Sequence, residues 1–169
     1  MLGAFGVTVD GDEVPPTAWP QRRSADLVKL LALEPVHRLP RDRIIDTLWP
    51  HLSAESGAAN LHKAAHYARR ALGSREAIVL SGGVVQLAPS AGIVTDVERL
   101  ESGDDSLLGL ELLPDDLYEE WSGAARERVR TVSAARLRVL GRFAEALELD
   151  PADEEAHRAL IRSHAEAGD

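Results

Sequence analysis

The chain has 169 residues, of which 44% are hydrophobic and 28% are charged, a composition typical of a globular protein with a packed core. It contains no cysteine, which excludes disulfides, iron–sulfur clusters, cysteine-ligated zinc and thiol nucleophiles. No apolar run approaches the roughly 18 residues that cross a bilayer, and no signal-like segment opens the sequence, so we expect a cytoplasmic protein without a membrane partner.

The net charge of −9 is divided unevenly along the chain. Residues 1–94 carry ten basic and nine acidic side chains, a net charge of +1, whereas residues 95–169 carry nine and nineteen, a net charge of −10. This asymmetry predicts two modules. Because affinity for phosphates comes largely from clustered Lys and Arg, the whole-chain charge argues against nucleic-acid binding, and only the first module is compatible with it.

The first module is predicted to begin with a β-hairpin. Apolar residues alternate along 2–9, the period of a half-buried strand, and Asp10-Gly11 supplies a turn. Three helices follow, each with apolar residues at helical spacing. Pro40 suits the first turn of the second helix, and Ser53 can cap the third. The predicted helical ranges are 25–33, 40–49 and 53–72.

Two β-prone runs, 77–80 and 84–87, follow the third helix. Ser81-Gly82-Gly83 between them permits the positive φ of a tight hairpin turn. Residues 89–92 are typical of a linker. The rest of the chain is predicted to be helical at 96–102, 115–140, 143–149 and 152–167. The predicted fold class is therefore mainly α with a small amount of β.

The third helix has two chemically different faces. One is apolar and is expected to face a core; it comprises Leu61, Ala64, Ala65, Ala68, Ala71 and Leu72. The other carries cationic, imidazole, amide and phenol groups, with no carboxylate from Asn60 onward: Asn60, His62, Lys63, His66, Tyr67, Arg69 and Arg70. Such side chains suit the major groove of DNA, where Arg and Lys read guanine and Asn reads adenine.

Two other interpretations of this helix are weaker. An ordinary amphipathic helix also places basic residues near its C-terminus, where they complement the dipole. This helix, however, is third in a set of three, precedes a glycine-tipped hairpin and lies in the module without excess negative charge, which favours DNA. His62 and His66 have the spacing of zinc ligands, but Lys63 replaces the Glu of such motifs and no third ligand is evident. We therefore expect neither a metal nor another cofactor.

No catalytic signature is present in the sequence. It lacks a phosphate-binding G-x-x-x-x-G-K-[ST] loop, a dinucleotide-binding G-x-G-x-x-G after a strand and a G-x-S-x-G nucleophile elbow. The many carboxylates after residue 95 are typical of solvated helix faces. We expect a protein without enzymatic activity.

Several segments resemble a known family. They are the opening LGAFGVTVDG, the IDTLWP that ends the second predicted helix, and AANLHKAAHYARRALG followed by the Gly-Gly hairpin. From Leu2 to Leu87 the chain resembles the N-terminal domain of the bacterial SARP regulators and of their large LuxR-type ATPase relatives, which share the OmpR-like winged-helix fold. The segments LLPDDLYEEW and ELDPADEEAHRALIRSHAEAGD resemble the bacterial transcriptional activation domain that follows in this family, a set of tetratricopeptide-like helices.

The resemblance implies an OmpR-like winged helix-turn-helix domain over residues 1–94 and a tetratricopeptide-like activation domain over residues 95–169. It implies a transcriptional activator on double-stranded DNA, with the third helix in the major groove, the hairpin wing near the minor groove or backbone, tandem protomers on direct repeats, and contact with RNA polymerase. On matching positions, the groove-facing residues are Asn60, His62, Lys63, His66, Tyr67, Arg69 and Arg70, the wing is Gly82 and Gly83, and weaker candidates for phosphate contacts are Arg22, Arg23, Arg41 and Arg43.

The sequence leaves other functions open. In one alternative the chain is a protein-interaction or regulatory module of a larger signalling protein, without direct DNA binding. In another, the acidic half folds back and masks the third helix, an idea that the charge asymmetry motivates. Residues 151–167 are typical of the first helix of a repeat and Gly168-Asp169 of the turn after it. Such an unpartnered helix indicates either a chain that continues beyond Asp169 or packing of Leu160 and Ile161 against another chain, and we expect the first, a longer regulator.

Overall fold

The computed structural model describes residues 1–167, and it is mainly helical (57%) with small antiparallel sheets. The chain divides into two compact units. The mixed unit is Phe5–Thr95, and the helical unit combines Met1–Ala4 with the chain from Asp96 onward. The predicted turn at Gly168-Asp169 lies outside the described residues. None of the described helices has both the length and the hydrophobicity that a membrane span needs.

The first four residues belong to a different unit from the one the sequence suggested. The amino group of Met1 pairs with the carboxylate of Asp96, Leu2 forms an isolated antiparallel bridge with Leu112, and Gly3 N donates to Glu111 O at 2.8 Å. Met1 and Leu2 are both buried. The start of the alternating stretch 2–9 therefore pairs with residues of the helical unit, and only the end of the stretch forms the predicted hairpin.

The mixed unit opens with that hairpin and continues through three helices. Asp10 and Gly11 both have positive φ (52° and 94°), the turn geometry that matches the twist of paired strands. The third helix matches its predicted range closely, and the first begins three residues before the predicted position. The elements are β1 (Thr8–Val9), β2 (Asp12–Glu13), α1 (Arg22–Ala32), β3 (Arg38–Pro40), α2 (Arg41–Leu48), α3 (Ala54–Ala71), β4 (Ile78–Ser81) and β5 (Val84–Leu87).

A three-stranded antiparallel sheet follows the strand order β3-β5-β4. The predicted hairpin β4–β5 is confirmed, with Ile78 opposite Leu87 and Ser81 opposite Val84. Strand β3 was not predicted, because three residues ending in proline give no alternation to detect. Pro40 is the last residue of β3 and the N-cap of α2, so the helix begins one residue later than expected.

The core of the mixed unit forms where the inner faces of α1, α2 and α3 meet the sheet. Fully buried side chains come from every layer: Leu27, Leu31, Ile44, Leu48, Leu61, Ile78 and Val85. Helix α3 approaches α2 closely at Gly57, where an added Cβ would lie 2.3 Å from Cγ2 of Ile45. Glycine is therefore needed at this position for lack of space, and its helical φ is ordinary.

We expect Gly57→Ala to lower the free energy of unfolding by about 1–2 kcal/mol, since crowding against Ile45 outweighs the better helix propensity of alanine. Gly123→Ala is the matched control, because no atom lies within 4 Å of the added methyl group and the position is also helical. Urea denaturation followed by circular dichroism measures both. A Gly57→Ala protein as stable as the control would show that the close packing of α2 on α3 is not a constraint.

The helical unit contains α4 (Asp96–Glu101), α5 (Gly123–Val139), α6 (Phe143–Leu149) and α7 (Glu154–Ala167). The last three meet around buried Leu137, Ala146 and Ala156. The single helix predicted over 115–140 is wrong in its first part. Short 3-10 turns at Pro114–Asp116 and Glu120–Ser122 precede α5.

Arg126 holds the irregular segment that precedes α5. Its guanidinium donates to the carbonyl oxygens of Leu112, Asp116 and Leu117 and to the hydroxyl of Ser122. In a continuous helix, each of these carbonyls would accept from the N–H four residues further on. Here the Arg126 guanidinium supplies a donor. The carbonyls before α5 are thus bound by a side chain 9, 10 and 14 residues away, a contact that the helical pattern of the sequence does not indicate.

Surface carboxylates of the helical unit are held by basic side chains. The Ser106 hydroxyl and then the Arg99 guanidinium lower the pKa of Asp104, and hydrogen bonds from Arg136 lower the pKa of Asp105. The Arg142 guanidinium likewise lowers the pKa of Glu145. These groups are exposed, so each contributes modestly and is screened by salt.

These shifts make the helical unit sensitive to acid. Because the folded-state pKa values lie below the unfolded ones, the stabilisation is complete above the unfolded pKa and is lost as pH falls through the folded pKa. We expect the temperature of the thermal unfolding midpoint to decrease as the pH is lowered from about 5 to about 3. Asp105→Asn should lower the midpoint at neutral pH and reduce its dependence on acid. An unaltered pH dependence in Asp105→Asn would contradict this account.

Candidate nucleic-acid interface

Helix α3 is defined by its two ends. At the start, the Ser53 hydroxyl accepts a hydrogen bond from Ser56 N at 3.3 Å, and Glu55 lies in the first turn, where a carboxylate is favourable. At the end, the Leu72 N–H bonds to Ala68 O, and Gly73 takes a φ of 70°. The sequence prediction of this helix and its serine cap is confirmed.

The inner face of α3 is made of small residues. Gly57, Leu61, Ala64, Ala65 and Ala68 are all buried, and Leu72 beyond them is buried too. Ala71, predicted on the same face, is only half-buried. Because most of these side chains are a methyl group or a hydrogen, the helix axis can lie close to the helices beneath it. The outer face is consequently fixed with respect to the rest of the unit.

The outer face carries the predicted polar residues in two groups. His62, Lys63, His66 and Arg70 are exposed, whereas Asn60, Tyr67 and Arg69 are half-buried. The rings of His66 and Tyr67 meet edge to face, with centroids 5.4 Å apart. Lys63 and Arg70 are therefore the exposed permanent cations on this helix.

Arg69 has a structural contact that sequence reasoning missed. Its Nε donates a 2.7 Å hydrogen bond to the carbonyl oxygen of Ile78. Ile78 begins β4, which lies at the edge of the sheet, so this bond supplies a partner on the strand's open side. The contact ties the C-terminal part of α3 to the hairpin, and a helical wheel gives no sign of it.

A carboxylate also lies on the outer side of α3. Helix α3 begins before Asn60, and Glu55 is seven and eleven residues before His62 and His66, close to two and three full turns. The three residues therefore share one line along the helix, and all are exposed. The stretch without acidic residues runs from Ser56 to the end of the helix.

The β4–β5 hairpin ends in an exposed turn that holds no basic side chain. Gly82 and Gly83 both have positive φ (58° and 78°), and Gly83 O accepts a 2.8 Å hydrogen bond from Arg41 N. The tip thus offers backbone groups and the Ser81 hydroxyl. Two exposed arginines outside the hairpin escaped the sequence analysis: Arg38 on β3, opposite Gln86, and Arg75 just before β4. Arg38 was missed because β3 is too short to recognise.

The predicted phosphate contacts on α1 have partners within the fold. Arg22 Nε lies 3.9 Å and Arg23 Nη1 3.0 Å from the carboxylate of Asp26, which is fully buried. Lys29 Nζ lies 3.7 Å from the same carboxylate and 4.8 Å from the centre of the Phe5 ring. These cations therefore compensate a buried negative charge, and a solvated phosphate would have to compete with the Asp26 carboxylate for them.

The remaining predicted phosphate contacts lie on α2. Arg41 is half-buried at the start of the helix, with its backbone bonded to the hairpin turn, and Arg43 is exposed one residue beyond Asp42. The structure brings Arg41 next to Gly83 and leaves Arg43 on the surface. His62 and His66 belong to no cluster of three metal-ligating side chains within the described part of the chain.

The exposed groups of α3 can donate and accept hydrogen bonds at base edges and can neutralise phosphates. They suit a polyanion with a groove about as wide as a helix. The chain matches no protein-family model, no curated protein and no solved structure.

We expect Arg69→Ala to destabilise the mixed unit by about 1–2 kcal/mol, since Ile78 O would lose its donor beside a buried side chain. Arg70→Ala removes the same charge from an exposed neighbour and should change stability by less than about 0.5 kcal/mol. Urea denaturation compares the two proteins. Equal stabilities would mean that the bond to β4 contributes nothing to the fold.

Proposed function

We propose that residues 5–95 form a winged helix-turn-helix domain that binds double-stranded DNA, with α3 in the major groove and the β4–β5 hairpin as the wing. The observation that carries the proposal is the outer face of α3, where exposed Lys63 and Arg70 lie beside exposed His62 and His66, opposite a buried face of small residues. The hairpin is bonded to α3 through Arg69 and to α2 through Gly83. Helix and wing can therefore meet DNA as one rigid surface.

The dimensions of α3 support this docking mode. Its 18 residues span about 27 Å, and an α-helix with its side chains fits the roughly 12 Å width of the major groove. Lys63 and Arg70 can contact guanine edges or phosphates, and Asn60 can pair with adenine. Glu55, at the N-terminal end, would repel phosphates and can accept a hydrogen bond from cytosine.

The charge supports modest affinity for a single copy. Residues 1–94 have a net charge of only +1, and several arginines are engaged within the fold. Few phosphate contacts per protomer imply a shallow salt dependence. Binding of tandem protomers to direct repeats, which the resemblance to the SARP regulators implies, would raise the effective concentration of the second domain.

The same resemblance assigns the helical unit to transcription activation, through contact with RNA polymerase. The strongly acidic charge of residues 95–169 is compatible with a basic protein surface as partner. We propose an activator on the basis of those sequence segments.

Selection from a random pool of duplex DNA by the full chain tests the proposal and reports half-site spacing. On the selected site, Lys63→Ala and Arg70→Ala should each weaken binding, and a variant that no longer neutralises one phosphate should show a log–log salt slope smaller by about one. Arg158→Ala, an exposed arginine of α7, makes the same change in net charge and should leave affinity unaltered. Glu55→Gln should preserve or strengthen binding.

Two outcomes would contradict the hypothesis of DNA binding. One is a selection that enriches no sequence and yields no salt-sensitive complex. The other is an Arg70→Ala protein, and a Lys63→Ala protein, that bind the selected site like Arg158→Ala.

A protein-interaction module is the second candidate function. Tyr118 is 99% exposed and Leu117 is 45% exposed, in a segment that also carries Asp115, Glu119 and Glu120. Apolar side chains set among carboxylates are typical of a surface that docks a basic partner. A chain with this role alone would bind purified bacterial RNA polymerase, lose that binding in Leu117→Ala/Tyr118→Ala, and form no specific complex with DNA.

A further inference from the structure

The helical unit contains a pocket of about 220 Å³ that DNA binding does not use. It lies between the segment 109–112 and α5, with Leu149 from the end of α6 completing the wall. Leu110, Leu112, Val129 and Leu149 make this wall largely apolar. The size and lining suit a ligand smaller than a typical drug molecule.

Ser133 supplies a polar group that the fold does not satisfy. This residue lines the pocket and is only 2% exposed. Its Oγ is buried and has no hydrogen-bond partner among residues 1–167. A buried hydroxyl without a partner is unfavourable, and a ligand that hydrogen-bonds to it would supply the missing interaction.

Two arginines give the pocket its charge, but only one has donors to offer. The guanidinium of Arg126 is committed to backbone carbonyls and to Ser122. Arg130 Nη1 lies 3.9 Å from Glu127 Oε2, a separation too long for a hydrogen bond. Arg130 is one turn from Ser133 on α5, so both can address the same ligand group.

We propose that this pocket binds a small monocarboxylate with an apolar tail. One carboxylate oxygen accepts from Arg130 and the other from the Ser133 hydroxyl, while the tail packs against Leu112 and Val129. Glu111 also lines the pocket, so its walls carry two positive charges and one negative charge. That balance favours a singly charged anion over a phosphate dianion.

Hexanoate is the probe, titrated into the full chain and followed by amide NMR shifts. Acetate has the carboxylate without the tail, and hexan-1-ol has the tail without the charge. Hexanoate should bind at least about tenfold more tightly than either, since it makes both kinds of contact. Its largest shifts should fall on residues 110–112 and 129–133.

Matched variants locate the binding. Arg130→Gln should lower the affinity for hexanoate by about tenfold, and Ser133→Ala should lower it by about threefold. Leu110→Trp should block the pocket, and because Leu110 is 40% exposed, the larger side chain need not disturb the core. Arg128→Gln, on the same helix but outside the pocket, should bind like the unmodified chain.

Three results would overturn the proposal. Equal affinity for hexan-1-ol and hexanoate would show that the pocket does not recognise the carboxylate. Undiminished binding by Arg130→Gln and Leu110→Trp would place hexanoate elsewhere on the molecule. Absence of binding at millimolar hexanoate, with an NMR spectrum of the folded chain, would show that the pocket is not a carboxylate site.

Discussion

The contact between Gly57 on α3 and Ile45 on α2 sets how closely these two helices of the mixed unit pack. A side chain at position 57 would overlap Ile45, so α3 can rest on α2 at this distance only if the position holds a hydrogen atom. Ala64, Ala65 and Ala68 extend the same close packing along the helix. With one face of α3 pressed against the core in this way, its opposite face has a fixed orientation. The candidate interface is a direct consequence of that packing.

Two hydrogen bonds then fix the hairpin relative to the helices, one from a side chain of α3 and one from the backbone of α2. Arg69 reaches the edge strand β4, and Arg41 N bonds to the turn at Gly83. The Arg69 bond has a cost for the proposed function, because a guanidinium engaged in the fold offers fewer donors to a phosphate. The arginines of α1 show the same division, since Arg22 and Arg23 compensate the buried carboxylate of Asp26. The cations available for the proposed DNA contacts are therefore fewer than the composition suggests, and Lys63 and Arg70 are the clearest of them.

In the helical unit, one arginine organises the chain in a similar way. Arg126 donates to the carbonyls of Leu112, Asp116 and Leu117. Leu112 ends the segment 109–112, which forms one side of the pocket beside α5. Met1–Ala4 add a bridge at Leu112. The pocket thus depends on contacts between residues far apart in sequence. Its buried serine is unremarkable in the sequence, where it resembles any other polar residue of a helix.

The sequence by itself determined the elements whose signals are local. Periodic apolar residues, the Ser53 cap and the Gly82-Gly83 turn predicted α3 and the β4–β5 hairpin closely, and the helical wheel separated the buried from the exposed side of α3. Only the tertiary structure decided the rest. It showed that Arg69 bonds to β4, that β3 joins the sheet, that residues 1–4 pack with the helical unit, and that α5 starts at Gly123. Each of these depends on a contact outside the local repeat of the element, and a periodic pattern records which side of an element is apolar without recording which group will meet it.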